Sequence, residues 1–365
     1  MKLTILKNTL LQALQQVEAG TPGRSSFAIL NNVLIEAKAN SLQLTTTDME
    51  LAISCTVEAQ VETAGITTLP VRHFFNIVRD MPDGNLSIET NDKHQTTIVN
   101  NSVRFKIAGI PPDDFPKFSS IDAKSSFKLP QRELREMFKK VSYAASTEES
   151  RYILNGVLMN FKRDKLVVVA TDGKRLALVE TEIEVPKDQE TNLIIPQRTV
   201  NLLIRTLKDE ENKEVKLSAD SKHIQAEFDG ITLYSKLIEG TYPNYRQVIP
   251  SHCDYRIAVD RENFIEVLQR VSLIITERTS AVTLKFMKNK LIVTASTEIG
   301  EAEETITVKY DGKEMSITFN PVFLLEPLKN LTSDEVYLEL TDDVSPGVIK
   351  ADIPFVYVLM PIRVR

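Results

Sequence analysis

The sequence predicts an α+β chain of three repeated domains, each with two helices packed on antiparallel sheets. Two observations carry that prediction. Val33, Val157 and Val282 stand 124 and 125 residues apart, and nine residues after each comes a leucine, Leu42, Leu166 and Leu291. Two further sets of landmarks, one upstream and one downstream, repeat at nearly the same spacing, which makes chance agreement improbable.

Taken in order, each copy opens on a short strand leading into an amphipathic helix of roughly ten residues. The stretches "LTILKNTLLQALQQV", "FKLPQRELREMFKKV" and "IAVDRENFIEVLQRV" align on Val17, Val141 and Val271. Seven positions before each valine lies Leu10, Leu134 or Phe264, and fourteen before lies Leu3, Phe127 or Ile257. Next come "VLIEAKANSLQLTTTDMELAI", "VLMNFKRDKLVVVATDGKRLAL" and "VTLKFMKNKLIVTASTEIGEAEE". Each reads as strand, polar turn, strand and bend. A second helix then starts near Pro70, Pro196 and Pro321, in the first turn, where a missing N–H costs nothing. Alternating strands such as "NLSIET", "EVKLSAD" and "EVYLEL" close each copy. The domains predicted are 1–120, 125–249 and 252–365, with joints in "KFSSIDAKSS" and "VIPSHCDY". Two helices per copy, each with several strands, suggest a twofold-like half-unit visible in element order but hardly in residues.

A length of 365 residues also calls for two or three domains. No apolar run approaches the ~18–20 residues of a membrane span, and the N-terminus lacks a signal peptide's apolar block, so a cytosolic protein is expected. Cys55 and Cys253 are isolated, which excludes a disulfide scaffold, and no cofactor or metal site is expected. Phosphate-binding glycine loops, nucleophile elbows and paired metal-ligating histidines are all absent.

Thr171-Asp172 at the end of "VVVAT" resembles the mouth of an active site. The same Thr-Asp step occurs as Thr47-Asp48, and both acids lie fifteen residues after their anchor valine, where the third copy has Thr297. An acid placed by a fold repeat most simply caps a bend by accepting backbone N–H bonds.

Net charge is −6, yet base is concentrated in the predicted helices: Arg72, Arg79, Arg132, Arg135, Lys139, Lys140, Arg198, Arg205, Arg261 and Arg270. Acid collects at 209–214, 301–304 and 341–343. Basic helices recurring at equivalent positions would form a positive surface on an acidic body, fit for a phosphate backbone and independent of base sequence.

Threefold repetition, basic helices and the absence of catalytic motifs resemble the bacterial DNA polymerase III beta subunit family, the DNA sliding clamps. The segments "RYILNG", "ATDGKRLAL", "YPNYRQVIP" and "VLMPIR" carry the resemblance most specifically, in the family's order. It implies clamp-type domains in a head-to-tail dimeric ring that encircles double-stranded DNA without regard to sequence. Such a ring tethers the replicative polymerase, clamp-loader subunits and other replication and repair proteins, and it is not an enzyme. It implies DNA contacts from Arg24, Arg72, Arg79, Arg151, Tyr152, Arg198 and Arg205. Glu148 stands where the second copy matches Arg24, an acid in place of the family's frequent amide, and the third copy is five residues shorter there.

A partner-peptide groove is implied at Leu154, Thr171, Gly173, Lys174, Arg175, Leu176, Pro243 and Val248, completed by Val358, Leu359, Met360, Pro361, Ile362 and Arg363. Pro346 and the added Val364-Arg365 depart from the usual pattern. For ring closure, Arg104, Phe105 and Lys106 would meet Leu273, Ile274, Glu298, Glu301, Glu303 and Glu304 of a second copy. Two other classes stay open: a hydrolase or phosphatase using Asp48 and Asp172 as paired carboxylates, and a peptide-binding adaptor that does not enclose DNA.

Overall fold

The computed structural model describes residues 1–22, 25–118, 121–276 and 280–363. The first repeat runs β1 (Lys2–Leu6), α1 (Lys7–Glu18), β2 (Asn32–Lys38), β3 (Ser41–Thr47), β4 (Leu51–Glu58), β5 (Gln60–Thr63), β6 (Gly65–Pro70), α2 (Val71–Asp80), β7 (Asn85–Thr90), β8 (Gln95–Asn100) and β9 (Val103–Ala108). The second runs β10 (Ser125–Pro130), α3 (Gln131–Val141), β11 (Gly156–Lys162), β12 (Lys165–Thr171), β13 (Arg175–Glu182), β14 (Thr191–Pro196), α4 (Gln197–Thr206), β15 (Glu214–Ala219), β16 (His223–Phe228) and β17 (Ile231–Lys236). The third runs β18 (Tyr255–Asp260), α5 (Arg261–Val271), β19 (Val282–Met287), β20 (Lys290–Thr297), β21 (Gly300–Thr307), β22 (Met315–Phe319), α6 (Pro321–Asn330), β23 (Glu335–Leu340), β24 (Gly347–Ala351) and β25 (Ile353–Leu359). Apart from β5, every repeat is strand, helix and three strands, performed twice, so the inner duplication suggested by element order is present.

Helix starts follow one device. The first helical N–H groups of α1, α3 and α5, on Lys7, Gln131 and Arg261, donate to the carbonyls of Gly84, Lys213 and Asp334. Each orphan donor is thus satisfied by the loop before the strand that follows its repeat's second helix. α5 and α6 carry a side-chain cap: Asp260 accepts from the Asn263 amide at 2.7 Å and Asn320 from the Val322 amide at 2.9 Å. The expected prolines lie at the second helices, but Pro70 and Pro196 are the last strand residues and only Pro321 is the first helical residue.

Strand pairing regroups the repeats. One compact unit comprises Met1–Arg132 with Arg205–Leu237 and the other Glu133–Ile204 with Ile238–Arg365. In the first unit, a five-stranded sheet is ordered β5-β1-β7-β8-β9 and an eight-stranded sheet β10-β15-β16-β17-β4-β3-β2-β6. The second unit holds an eight-stranded sheet, β14-β11-β12-β13-β25-β24-β23-β18, and a four-stranded one, β21-β20-β19-β22. The halves of the second repeat therefore go to different units, because β17 pairs with β4 and β13 with β25, both antiparallel.

Cores follow the predicted periodicities. In the first unit α1 buries Leu10, Ala13, Leu14 and Val17 and packs on α2, which buries Val71, Phe74 and Val78. In the second, α5 buries Phe264, Val267, Leu268 and Val271 against α6, which buries Leu324 and Leu328. Each such large apolar side chain contributes about 1.5–3 kcal/mol when fully withdrawn from water.

Candidate functional site: an apolar groove beside a strand junction

The second unit's candidate site is built on the β13–β25 ladder, where Leu176 lies opposite Val358 and Leu178 opposite Val356. Side chains alternate across a strand, so these residues share a face with Leu158 of β11 and with Val167 and Val169 of β12. Together with Ile194 and Ile238 they form one apolar cluster, and Ile153, Tyr242, Tyr245 and Ile249 pack against it half-buried. The same alternation sends Leu359 to the opposite face, where it is 1% exposed beside Leu284, Phe319 and Leu324. Of the C-terminal residues, Val358 belongs to this cluster and Leu359 to the core on the opposite face.

The rim is held by backbone bonds. Met360 N–H donates to the Lys174 carbonyl at 3.0 Å and Ile362 N–H to the Thr318 carbonyl at 2.7 Å. This leaves Met360, Ile362 and Arg363 exposed and Pro361 half-buried. Pro243, Val248 and Lys174 are also exposed on their segments. Leu154 is half-buried with its carbonyl accepting from Ser146, and Ile153 is the neighbour that packs on the apolar cluster. Burial raises the phenol of Tyr242 well above its ordinary value, so it stays neutral.

The Thr-Asp bend is structural in both copies. Asp172 accepts the Lys174 and Arg175 amides at 2.8 and 3.0 Å, and Asp48 accepts those of Glu50 and Leu51 at 3.0 and 2.8 Å. Thr171 and Thr47 each donate across the bend, to the Arg175 and Leu51 carbonyls. Thr297 performs a reduced version, accepting from the Ile299 amide at 3.3 Å. Residue 49 and residue 173 share a left-handed backbone, φ 79° and 86°, so Met49 bears strain that Gly173 avoids. A Cβ at 173 would also lie 2.7 Å from the end of the Arg151 side chain, which would have to move aside.

Arg175 does not meet the groove as a free cation. Its guanidinium is 8% exposed and bonded to Asp172, to Glu326 of α6 and to the Tyr143 carbonyl, with the Phe323 ring 4.1 Å away. Its charge is spent inside the fold, tying the bend to α6. Arg246, exposed near Tyr245, is a rim cation that sequence spacing did not single out.

Arg72, Arg198 and Arg205 are exposed on α2 and α4. Arg79 is held by Asp80 at 3.0 Å, and that hydrogen bond lowers the Asp80 pKa below the usual carboxylate range. Arg151 pairs with Glu148 at 3.0 Å and also donates to the Asp172 carbonyl, while Tyr152 is 60% exposed. Arg24, like Val364 and Arg365, lies outside the described residues.

Each of the four sheets has two edge strands, and among these are β9 in the first unit and β21 in the second. Arg104, Phe105 and Lys106 are exposed on β9, as are Glu301 and Glu303 on β21. Glu304 is instead held by Arg270 at 2.7 Å, whose hydrogen bonds lower its pKa. Leu273 is 82% exposed, Ile274 half-buried and Glu298 exposed. Ile299, 71% exposed, is an apolar neighbour that the sequence alone did not reveal.

These features define a repeat-built scaffold with an apolar cluster at a strand junction. Family models of the DNA polymerase III beta subunit match the chain end to end: the N-terminal domain over residues 1–119, the central domain over 128–244 and the C-terminal domain over 246–363. The chain is 32% identical over 366 residues to the beta sliding clamp of Chlamydia trachomatis, covering all of this chain and 88% of that protein. It is 32% identical over 367 residues to that of Escherichia coli, covering both in full. The structure of the sliding clamp from Bartonella birtlesii bound to griselimycin superposes with a TM-score of 0.96 at 33% identity, each chain covered in full. The chain belongs to the bacterial DNA polymerase III beta subunit family, the beta sliding clamps, and serves as a DNA polymerase processivity factor in replication.

Proposed function

We propose that this clamp works in the cytoplasm as a non-catalytic, head-to-tail homodimer of domains 1–120, 125–249 and 252–365, closed around double-stranded DNA. The observation that carries this reading is the repetition of one strand junction. The last strand of the second repeat, β17, pairs with β4 of the first, and the last strand of the third, β25, pairs with β13 of the second. By the same rule the last strand of the first repeat, β9, belongs on β21 of a third repeat, and both edges are free. An unsatisfied strand edge seeks a partner, and a second copy supplies it twice, which closes the assembly.

The two internal junctions share one register, so they set the register of the third. Thr232 opposite Ser54 and Val356 opposite Leu178 map to Arg104 opposite Glu303. Tyr234 opposite Ala52 and Val358 opposite Leu176 map to Lys106 opposite Glu301. Phe105 then meets Ala302, with Leu273, Ile274 and Ile299 exposed or half-exposed for apolar contact and Glu298 beside them. Opposite charges in facing positions give the joint its polarity.

Arg24, Arg72, Arg79, Arg151, Tyr152, Arg198 and Arg205, with Glu148, form the proposed DNA-facing set. Helices of ten to twelve residues, about 15–18 Å long, suit the phosphate ridges of a duplex. The pairing of Arg79 by Asp80 and of Arg151 by Glu148 weakens the grip, as sliding requires. The groove takes a short peptide with apolar anchors from the polymerase, clamp-loader subunits or other replication and repair proteins. Its proposed base is Leu176 and Val358 and its lip Met360, Pro361 and Ile362, with Pro243 and Val248 exposed for further contact. Lys174 and Arg363 favour an acidic or polar flank, while Thr171, Gly173 and Arg175 hold its bend. Retention on nicked circular DNA tests enclosure: loaded clamp stays on the circle and runs off once the circle is linearised. Equal retention on both would leave only an adaptor.

A further inference from the structure

The first unit contains the same groove framework with a different lining, and we infer that it is a second recognition site, for an extended peptide bearing amide and hydroxyl side chains. This rests on the reading of the apolar groove as a peptide site. In both units an eight-stranded sheet crosses a junction between repeats, and the registers coincide: Leu34 opposite Thr45 and Thr45 opposite Ser54 match Leu158 opposite Val169 and Val169 opposite Leu178. The closing segment coincides too, since Ile110 N–H donates to the Thr68 carbonyl as Ile238 N–H does to that of Ile194. After it each chain carries aromatic, proline, any residue, aromatic: Phe115-Pro116-Lys117-Phe118 here and Tyr242-Pro243-Asn244-Tyr245 there. Both straps lie on their grooves.

The frame is common and the floor is not. Where the apolar groove has Val167, Val169 and Leu178, its counterpart has Gln43, Thr45 and Ser54. Where Val356 and Val358 line one, Thr232 and Tyr234 line the other. The result is an open cavity of about 490 Å³, a volume typical of ligand sites. One wall is aromatic, with Phe118 against Tyr234 at 5.2 Å and His223 stacked on Tyr234 at 5.1 Å. Ile66, 42% exposed, forms an apolar lip.

This lining selects the occupant. Thr45 and Ser54 share a hydrogen bond at 2.8 Å, and an apolar anchor set over them and Gln43 would strip water from their remaining polar valences, so the peptide of the first groove is disfavoured. Amide and hydroxyl side chains satisfy them, and one aromatic or proline ring has the Phe118–Tyr234 wall to stack on. Of the ionisable side chains lining the cavity, Glu36 is neutralised by Lys38 at 2.5 Å and Lys117 is exposed on the strap, so an uncharged polar segment is complementary.

The test exploits the absence of tryptophan from the chain. A Phe118→Trp substitution places a lone fluorophore on the wall of the otherwise complete clamp. The probe is a hexapeptide mixture of Ser, Thr, Asn and Gln around one central Tyr, titrated with the apolar groove already filled by a peptide with two leucine anchors. Saturable fluorescence change is expected, lost at least tenfold in Gln43→Val/Thr45→Val/Ser54→Leu, which should in turn bind the leucine peptide at two equivalents per chain instead of one. No saturation by the polar mixture, or equal saturation in the triple variant, overturns the proposal. Failure of the leucine peptide to bind the unaltered groove would instead strike the reading of the first groove.

Discussion

The chain builds one joint twice, at β4–β17 and β13–β25, and the proposed outer joint differs from both. Inside the chain, β4–β17 and β13–β25 pair Ile53 with Leu233 and Ala177 with Tyr357, all buried. At the free edges the corresponding residues are Phe105 and Ala302, flanked by Arg104, Lys106, Glu301 and Glu303. A joint that never opens is sealed by apolar burial. On the proposed outer joint, assembled from separate chains, charges would blunt the edges against wrong partners and steer the right one.

One position condenses the contrast. Leu51, Arg175 and Gly300 are equivalent first residues of β4, β13 and β21. Arg175 locks the inner joint through Asp172 and Glu326, and Gly300 offers nothing comparable at the outer one. Breaking the lock should produce the largest effect: Arg175→Met strands Glu326, while Asp172 keeps its two backbone amides, and should cost about 3 kcal/mol in chemical denaturation. A loss near zero would mean the network is not structural. Charge reversal at the outer joint comes next. Arg104→Glu/Lys106→Glu should raise the dimer dissociation constant about 100-fold, some 2.7 kcal/mol, in sedimentation analysis. Adding Glu301→Lys/Glu303→Lys should recover most of it, and a failure to recover would refute the transferred register.

Salt sharpens the comparison with a smaller effect. Raising ionic strength from 0.1 to 1 M shortens the screening length from about 10 to 3 Å, so dimerisation should weaken several-fold while resistance to denaturant of the inner joints holds. The smallest effect concerns Glu304, whose pKa is lowered by its hydrogen bonds from Arg270. A carboxylate with a lowered folded-state pKa stabilises above its unfolded pKa and loses that contribution as pH falls through the folded value. The melting-temperature advantage of the unaltered chain over Glu304→Gln should therefore be present at neutral pH and vanish in acid.

Much of this was legible in one dimension. Residues such as Val17, Val141 and Val271 must fill equivalent core positions, so their spacing betrays the repeat without any coordinates. Asp48 and Asp172 could be recognised as bend caps for the same reason. Arg175 shows where such reading stops: its motif marks the groove, yet only the packed structure shows Glu326, 151 residues away, consuming its charge. Leu359 was grouped with Val358 by adjacency, and strand alternation separates them. The polar groove of the first unit was invisible because Gln43, Thr45 and Ser54 read as an ordinary solvated strand face until the strap and β17 enclose them.

By itself, the sequence determined the element order, the triplication and the family, because these depend on local periodicity and on spacing preserved along the chain. Tertiary structure alone decided which half-repeats merge into one sheet, which edges stay unpaired and which charges remain free. Those outcomes depend on contacts between residues far apart in the chain, and nothing in the local pattern encodes such a contact until the strands have met.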